Sequence, residues 1–170
     1  MAANQDIWVF SEKPALLGEL VAGARELAAK TGGQVAALVL GPRSTAEQAV
    51  QRGADAVMWL GERPEDALVE DYVPTLAGLL EAEQPYGLLV GSTRQGKAVA
   101  GRLAARLGVC ALTDVLEFLP EDGRFQARHM IFGGGAVRVD RPLTGPLLAT
   151  VGSGVFQAAP TESGRVGEIR

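Results

Sequence analysis

Apolar residues come in short unbroken runs through the first half of the chain: IWVFSE at 7–12, QVAALVLG at 34–41, DAVMWL at 55–60 and YGLLVG at 86–91. None alternates apolar with polar positions, as a strand does when one face meets water. Each therefore predicts a strand covered on both faces. Between these runs the period becomes that of a helix. After Pro14, the residues Leu16, Leu20, Val21, Ala24, Leu27 and Ala28 fall at helical spacing, until Gly32-Gly33 stops them. STAEQAVQRG predicts a shorter helix, with Ser44 or Thr45 able to accept a hydrogen bond from its first turn and Gly53 beyond its end. A helix over 72–83 carries Pro74 in its first turn, where a missing N–H costs little. GKAVAGRLAARLG lines Val99, Leu103 and Leu107 along one face of a fourth helix. Strand then helix, repeated in this way, predicts an α/β fold: a mostly parallel sheet with helices on both faces.

The rhythm changes in the last third. TDVLEFL and GRFQARHMI are strand candidates joined by PEDG, in which Asp122-Gly123 is a hairpin signal. GGGAVRVD and LLATVG follow as two more. This part is expected to be strand-rich and antiparallel in part. No linker interrupts the first 150 residues. The end, QAAPTESGRVGEIR, is polar and reads as a loose tail or the start of a linker over 157–170.

Composition narrows the chemistry. The 170 residues, 47% hydrophobic and 21% charged with a net charge of −4, suit one soluble domain. Without a basic tract, nucleic acid is not an expected partner. There is no apolar run long enough for a bilayer. The opening MAANQDIWVFSEK lacks the regions of a signal peptide, so the cytoplasm is the expected location. One cysteine, Cys110, and one histidine, His129, leave no disulfide and too few Cys and His ligands for a zinc site. No G-x-S-x-G element presents a serine. No catalytic constellation is visible, and an enzyme is not expected. Cys110, in GVCAL, reads as an inert core thiol, and His129 as a packed or satisfied residue.

One loop invites a functional reading. GSTRQGKA places Gly91, Gly96 and Lys97 at the spacing of a phosphate-binding loop, but Ala98 stands where that loop needs a magnesium-binding hydroxyl. The loop follows the fourth strand and opens a helix, which is where open α/β sheets tend to bind ligands. Gly91, Ser92, Thr93, Gly96 and Lys97 are therefore a candidate nucleotide or anion loop, for AMP, ATP or the ADP moiety of FAD. The same residues also suit a tight strand-to-helix turn with Ser92 or Thr93 near the cap, and both readings stay open on the sequence.

Several segments, in order, resemble the N-terminal domain of the electron transfer flavoprotein alpha subunit. VFSE and ARELAAKTGGQVAALVLG match its opening, and RGADAVMWL its G-A-D-x-V strand. GSTRQGKAVAGRLAARLG, over 91–108, is the strongest match, followed by the T-D-V of 113–115. RHMIFGGGA and TVGSGVF are weakened forms of two later motifs, with His129 where the family pattern has proline, Phe132 for its tyrosine and Gly152 for an arginine. The resemblance covers roughly 7–156. It implies a Rossmann-type three-layer fold of the adenine-nucleotide alpha hydrolase kind, with 1–156 as one domain. It also implies a role in electron transport: the structural and docking part of a FAD-dependent carrier that works with a beta-type subunit. In the family the flavin is held mainly by a separate C-terminal domain, so stable FAD binding by these residues alone is not expected. Self-association of the lone chain is a further expectation, since late antiparallel strands offer a pairing edge.

Overall fold

A computed structural model describes residues 4–170; residues 1–3, where the expected domain and the leader reading begin, lie outside the described residues. The strands are β1 (Ile7–Phe10), β2 (Val35–Val39), β3 (Ala56–Trp59), β4 (Gly87–Gly91), β5 (Ala111–Glu121), β6 (Arg124–Ile131), β7 (Ala136–Asp140), β8 (Leu147–Val151) and β9 (Glu168–Ile169). The helices are α1 (Pro14–Thr31), α2 (Arg43–Gln51), α3 (Val73–Glu83) and α4 (Arg94–Leu107). All nine strands form one sheet in the order β7-β6-β5-β8-β4-β1-β2-β3-β9. The pairs from β5–β8 across to β3–β9 are parallel, and β5–β6 and β6–β7 are antiparallel. This is the three-layer α/β arrangement that the run pattern predicts.

The core explains why the early strands are apolar throughout. Ile7, Val9, Val35, Ala37 and Leu89 pack with α1 and α2 on one face, while Trp8, Phe10, Leu38, Leu88 and Val90 pack with α3 and α4 on the other. Every residue of β1, β2 and β4 is buried. α1 starts at Pro14, whose fixed φ suits a first helical position, and ends at Gly32 in the left-handed region at φ 81°. α2 departs from expectation. It begins at Arg43 with Pro42 as its N-cap, so Ser44 and Thr45 already lie inside its first turn and neither caps it.

The last third leaves the parallel sheet and returns. β5 and β6 form a hairpin whose turn residues, Asp122 at φ 47° and Gly123 at φ 74°, take the positive φ values a two-residue hairpin turn requires. β7 adds an outer strand. The chain then comes back as β8, which slots between β4 and β5 and runs parallel to both. Strands β5–β7 thus form an arm attached to the domain along β5. Phe156 stacks on Phe118 of this arm at 6.3 Å.

The polar end over 157–170 does more than trail. Arg165 bonds Asp55 at 2.6 Å, β9 pairs with β3, and the Arg170 carbonyl accepts a bond from Trp59 N at 2.7 Å. Its polar composition hid a strand of two residues, too short to show a period. Cys110 is exposed and not a core thiol, because it falls in the turn between α4 and β5.

Candidate functional site

The order β4-β1-β2 places the switch between the two helix layers at β1 and β4, with the loop over 91–97 at the end of β4. In such sheets this end is where ligands gather. Gly96 sits against the strand it has just left: a Cβ there would lie 1.9 Å from the Gly91 carbonyl oxygen. Only glycine allows that approach. Thr93 is the N-cap of α4, and its Oγ1 accepts from Gly96 N at 2.8 Å.

The loop's remaining donors converge on Asp114 of β5. Lys97 Nζ lies 2.8 Å from both of its carboxylate oxygens, and the Ser92 hydroxyl donates to Oδ1 at 2.6 Å. A closed ring of hydrogen bonds completes the set. Asp114 N donates to Thr150 Oγ1 at 3.0 Å, the Thr150 hydroxyl donates to Ser92 Oγ at 3.3 Å, and Ser92 returns to Asp114. Asp114 reaches this position at φ 54°, where the register of β5 against β8 shifts between Leu112 and Val115. Partial burial pushes its carboxyl up, but the bonds from Lys97 and Ser92 and the charges of Lys97 and His129 outweigh it and hold it below the ordinary 3.8.

The five residues singled out in the sequence form one strand-to-helix turn, and two of them, Ser92 and Lys97, bond an acceptor that sequence reasoning missed. Asp114 and Thr150 lie 17 and more residues downstream of Lys97, and only the T-D-V strand hinted that an aspartate would stand there. The arrangement is a helix N-terminus and a lysine already supplied with an anion from the same chain. A recess of about 340 Å³ adjoins Asp114, lined by Thr113, Met130, Phe132 and Gly133. Ser92 and Lys97 are each bonded to Asp114, so an anion at this turn would have to displace that carboxylate. No cluster of metal-ligating side chains is present among the described residues.

This network predicts an acid response. The folded-state carboxyl of Asp114 is depressed, so its contribution to stability is fully present above the unfolded value of 3.8 and is lost as pH falls through the lower folded value. Asp114→Asn is therefore expected to flatten the acid limb of stability below about pH 4 relative to the parent. Urea titrations at a series of acid pH values would show it, and parallel acid limbs would contradict it.

The arm carries a second feature. Along β6 and β7, Met130 and Val137 are cross-strand partners, as are Arg128 and Val139, and they share one face. Met130 is 40% exposed, Val137 54%, Val139 44%, and the nearby Phe132 88%. Phe125, Ala127 and His129, on the opposite face of β6, are buried. No helix among the described residues is long and apolar enough to cross a membrane.

Over residues 15–170 the chain matches the family described as "Electron transfer flavoprotein domain". Protein FixB of Escherichia coli O157:H7 and of Shigella flexneri is 37% identical over 169 residues, covering 99% of this chain and 52% of the relative. Protein FixB of Escherichia coli strain K12 is 36% identical over the same length. The chain spans about half the length of these curated relatives. A match that runs from the first helix to the last residue carries one assignment: the chain belongs to the electron transfer flavoprotein family, on the side of its alpha-type subunits.

Proposed function

We propose that this chain is the structural and docking part of a FAD-dependent electron carrier, with a beta-type subunit seated on the uncovered face of the β5–β7 arm and the flavin held outside these 170 residues. The observation that carries the docking reading is the contiguous exposure of Met130, Val137 and Val139, beside Phe132, on a face that no element among the described residues covers. Grouped apolar exposure of this kind marks a protein interface more often than it marks ordinary surface. The commitment of Ser92 and Lys97 to Asp114 supports the flavin half of the reading, because it leaves the 91–97 turn in a structural role. Electrons would pass between the flavin and its donor or acceptor proteins, and this chain would supply position, not a catalytic group.

Met130→Asp combined with Val137→Asp is expected to weaken association with the beta-type subunit by about a hundredfold, since desolvated apolar anchors dominate interface energies. The far-UV circular dichroism should stay unchanged. Undiminished association, followed by sedimentation of the mixed subunits, would remove the arm from the interface. Calorimetric titration of the chain with FAD, AMP and Mg-ATP separately tests the flavin half. The competing reading, a small nucleotide-binding module at 91–97, needs binding that Lys97→Ala abolishes.

A further inference from the structure

We propose that His129 is a proton-operated strap that ties β6 and β7, which carry the docking face, to β5, holding that face in place while the ring carries both of its protons and loosening it when one is lost. The regulatory meaning rests on the arm being the docking surface; the strap itself rests on geometry alone.

His129 lies on β6 and is 6% exposed. Its Nδ1 is 3.2 Å from the Thr113 carbonyl oxygen of β5, and its Nε2 is 2.7 Å from Asp140 Oδ2 of β7. One ring therefore joins all three strands of the arm. A carbonyl oxygen can only accept. The hydrogen bond from His129 holds the Asp140 carboxyl below its ordinary value, with the Arg138 guanidinium adding to this against slight burial, so that side chain is an acceptor as well. Two acceptors require two N–H donors, and only the imidazolium has both. A neutral ring can satisfy one of them and turns a lone pair toward the other. The shorter, charge-assisted bond to Asp140 is the one it keeps. The bond to Thr113, the contact that ties β6 to β5, is the one it gives up.

Two carboxylate–cation pairs surround the ring. Asp140 and Arg138 face it from β7, bonded to each other at 2.5 Å. From β5, Asp114 interacts with it through charge, and Asp114 is in turn held by Lys97 of α4. β8 contributes the uncharged Thr150 hydroxyl, on the far side of Asp114. These two carboxylates and two cations balance, so the two acceptors bonded by the ring, not the net surrounding charge, call for the imidazolium. Thr113 and Asp114 are consecutive, so the strap and the 91–97 network grip β5 at the same point, where its register shifts.

The chain has a single histidine, so its labelled ring gives an unambiguous nuclear magnetic resonance signal. The experiment follows the ring nitrogens of the intact chain across pH, together with amide hydrogen exchange corrected for the intrinsic pH dependence. The expected result is that both ring nitrogens carry protons wherever the arm is fully protected. When the ring loses a proton, protection in β6 and β7 should fall at least tenfold while β1, β2 and β4 stay unchanged. His129→Gln, if it folds, should show no such step. A ring in one neutral tautomer with a fully protected arm would overturn the strap, as would arm protection that does not change through the ring's titration. Association with the beta-type subunit, measured over the same range, separates the two readings. Loosening of the arm without loss of association would support the strap and reject the arm as the docking surface.

Discussion

Gly96→Ala is expected to destabilise the fold by about 3 kcal/mol and lower the thermal midpoint by about 6–12 °C. The new methyl would stand 1.9 Å from the Gly91 carbonyl oxygen. That oxygen belongs to the backbone of a strand held between β1 and β8 and has nowhere to move. α4 must shift instead, which strains the Thr93 cap and the Lys97–Asp114 pair together. Overpacking of this kind costs about 1–3 kcal/mol and a lost cap about 1 more. Gly101→Ala on the same helix is the control. A Cβ there meets nothing within 4 Å, so it should gain about 0.5–1 kcal/mol from helix propensity. Thermal unfolding by circular dichroism distinguishes them, and equal midpoints would mean that the close approach does not exist.

Removing residues 157–170 is expected to cost about 2–4 kcal/mol and to make the domain self-associate. The segment returns along the far edge of the sheet. Glu162 N donates to Gln51 O at 2.9 Å, Arg165 bonds Asp55, and Trp59 N donates to Arg170 O. Each such bond contributes about 1 kcal/mol net. The larger effect is on β3, whose Val57 and Met58 are buried and whose outer edge would stand open to another chain. Urea midpoints and sedimentation velocity test both parts. A truncated domain as stable as the parent, and sedimenting in the same association state, would show that the segment is dispensable.

The contrast between these two regions shows what the sequence could and could not reveal. β1, β2 and β4 were legible because burial on both faces leaves an unbroken apolar run, and α1 because eighteen residues carry several turns of periodicity. The hairpin at Asp122-Gly123 was legible because its turn demands particular residues. β9 was not, since two residues paired through their backbones leave no trace in side-chain pattern. The 91–97 loop was half legible. Its glycines and cap follow local rules, but the partner that fills it comes from β5, and nothing local to GSTRQGKA specifies an aspartate there. For the same reason His129 could be read as satisfied while its partners, Thr113 and Asp140, could not be named: they are set by the register of three strands.

The late arrival of β8 has a consequence for how the molecule is made. β4 is finished at Gly91, but its neighbour on that side begins only at Leu147. Until then the growing chain has a fully apolar strand with one edge unpaired, and β5 has no parallel strand to lie against. The β5–β6 hairpin, closed by a two-residue turn, can form in the meantime from contacts close in sequence, whereas attaching it must wait for β8, which begins at Leu147 after the hairpin has ended at Ile131. Synthesis therefore passes through a stage in which a finished arm hangs from an unfinished sheet. That stage is when the chain is most exposed to wrong pairing with another copy of itself.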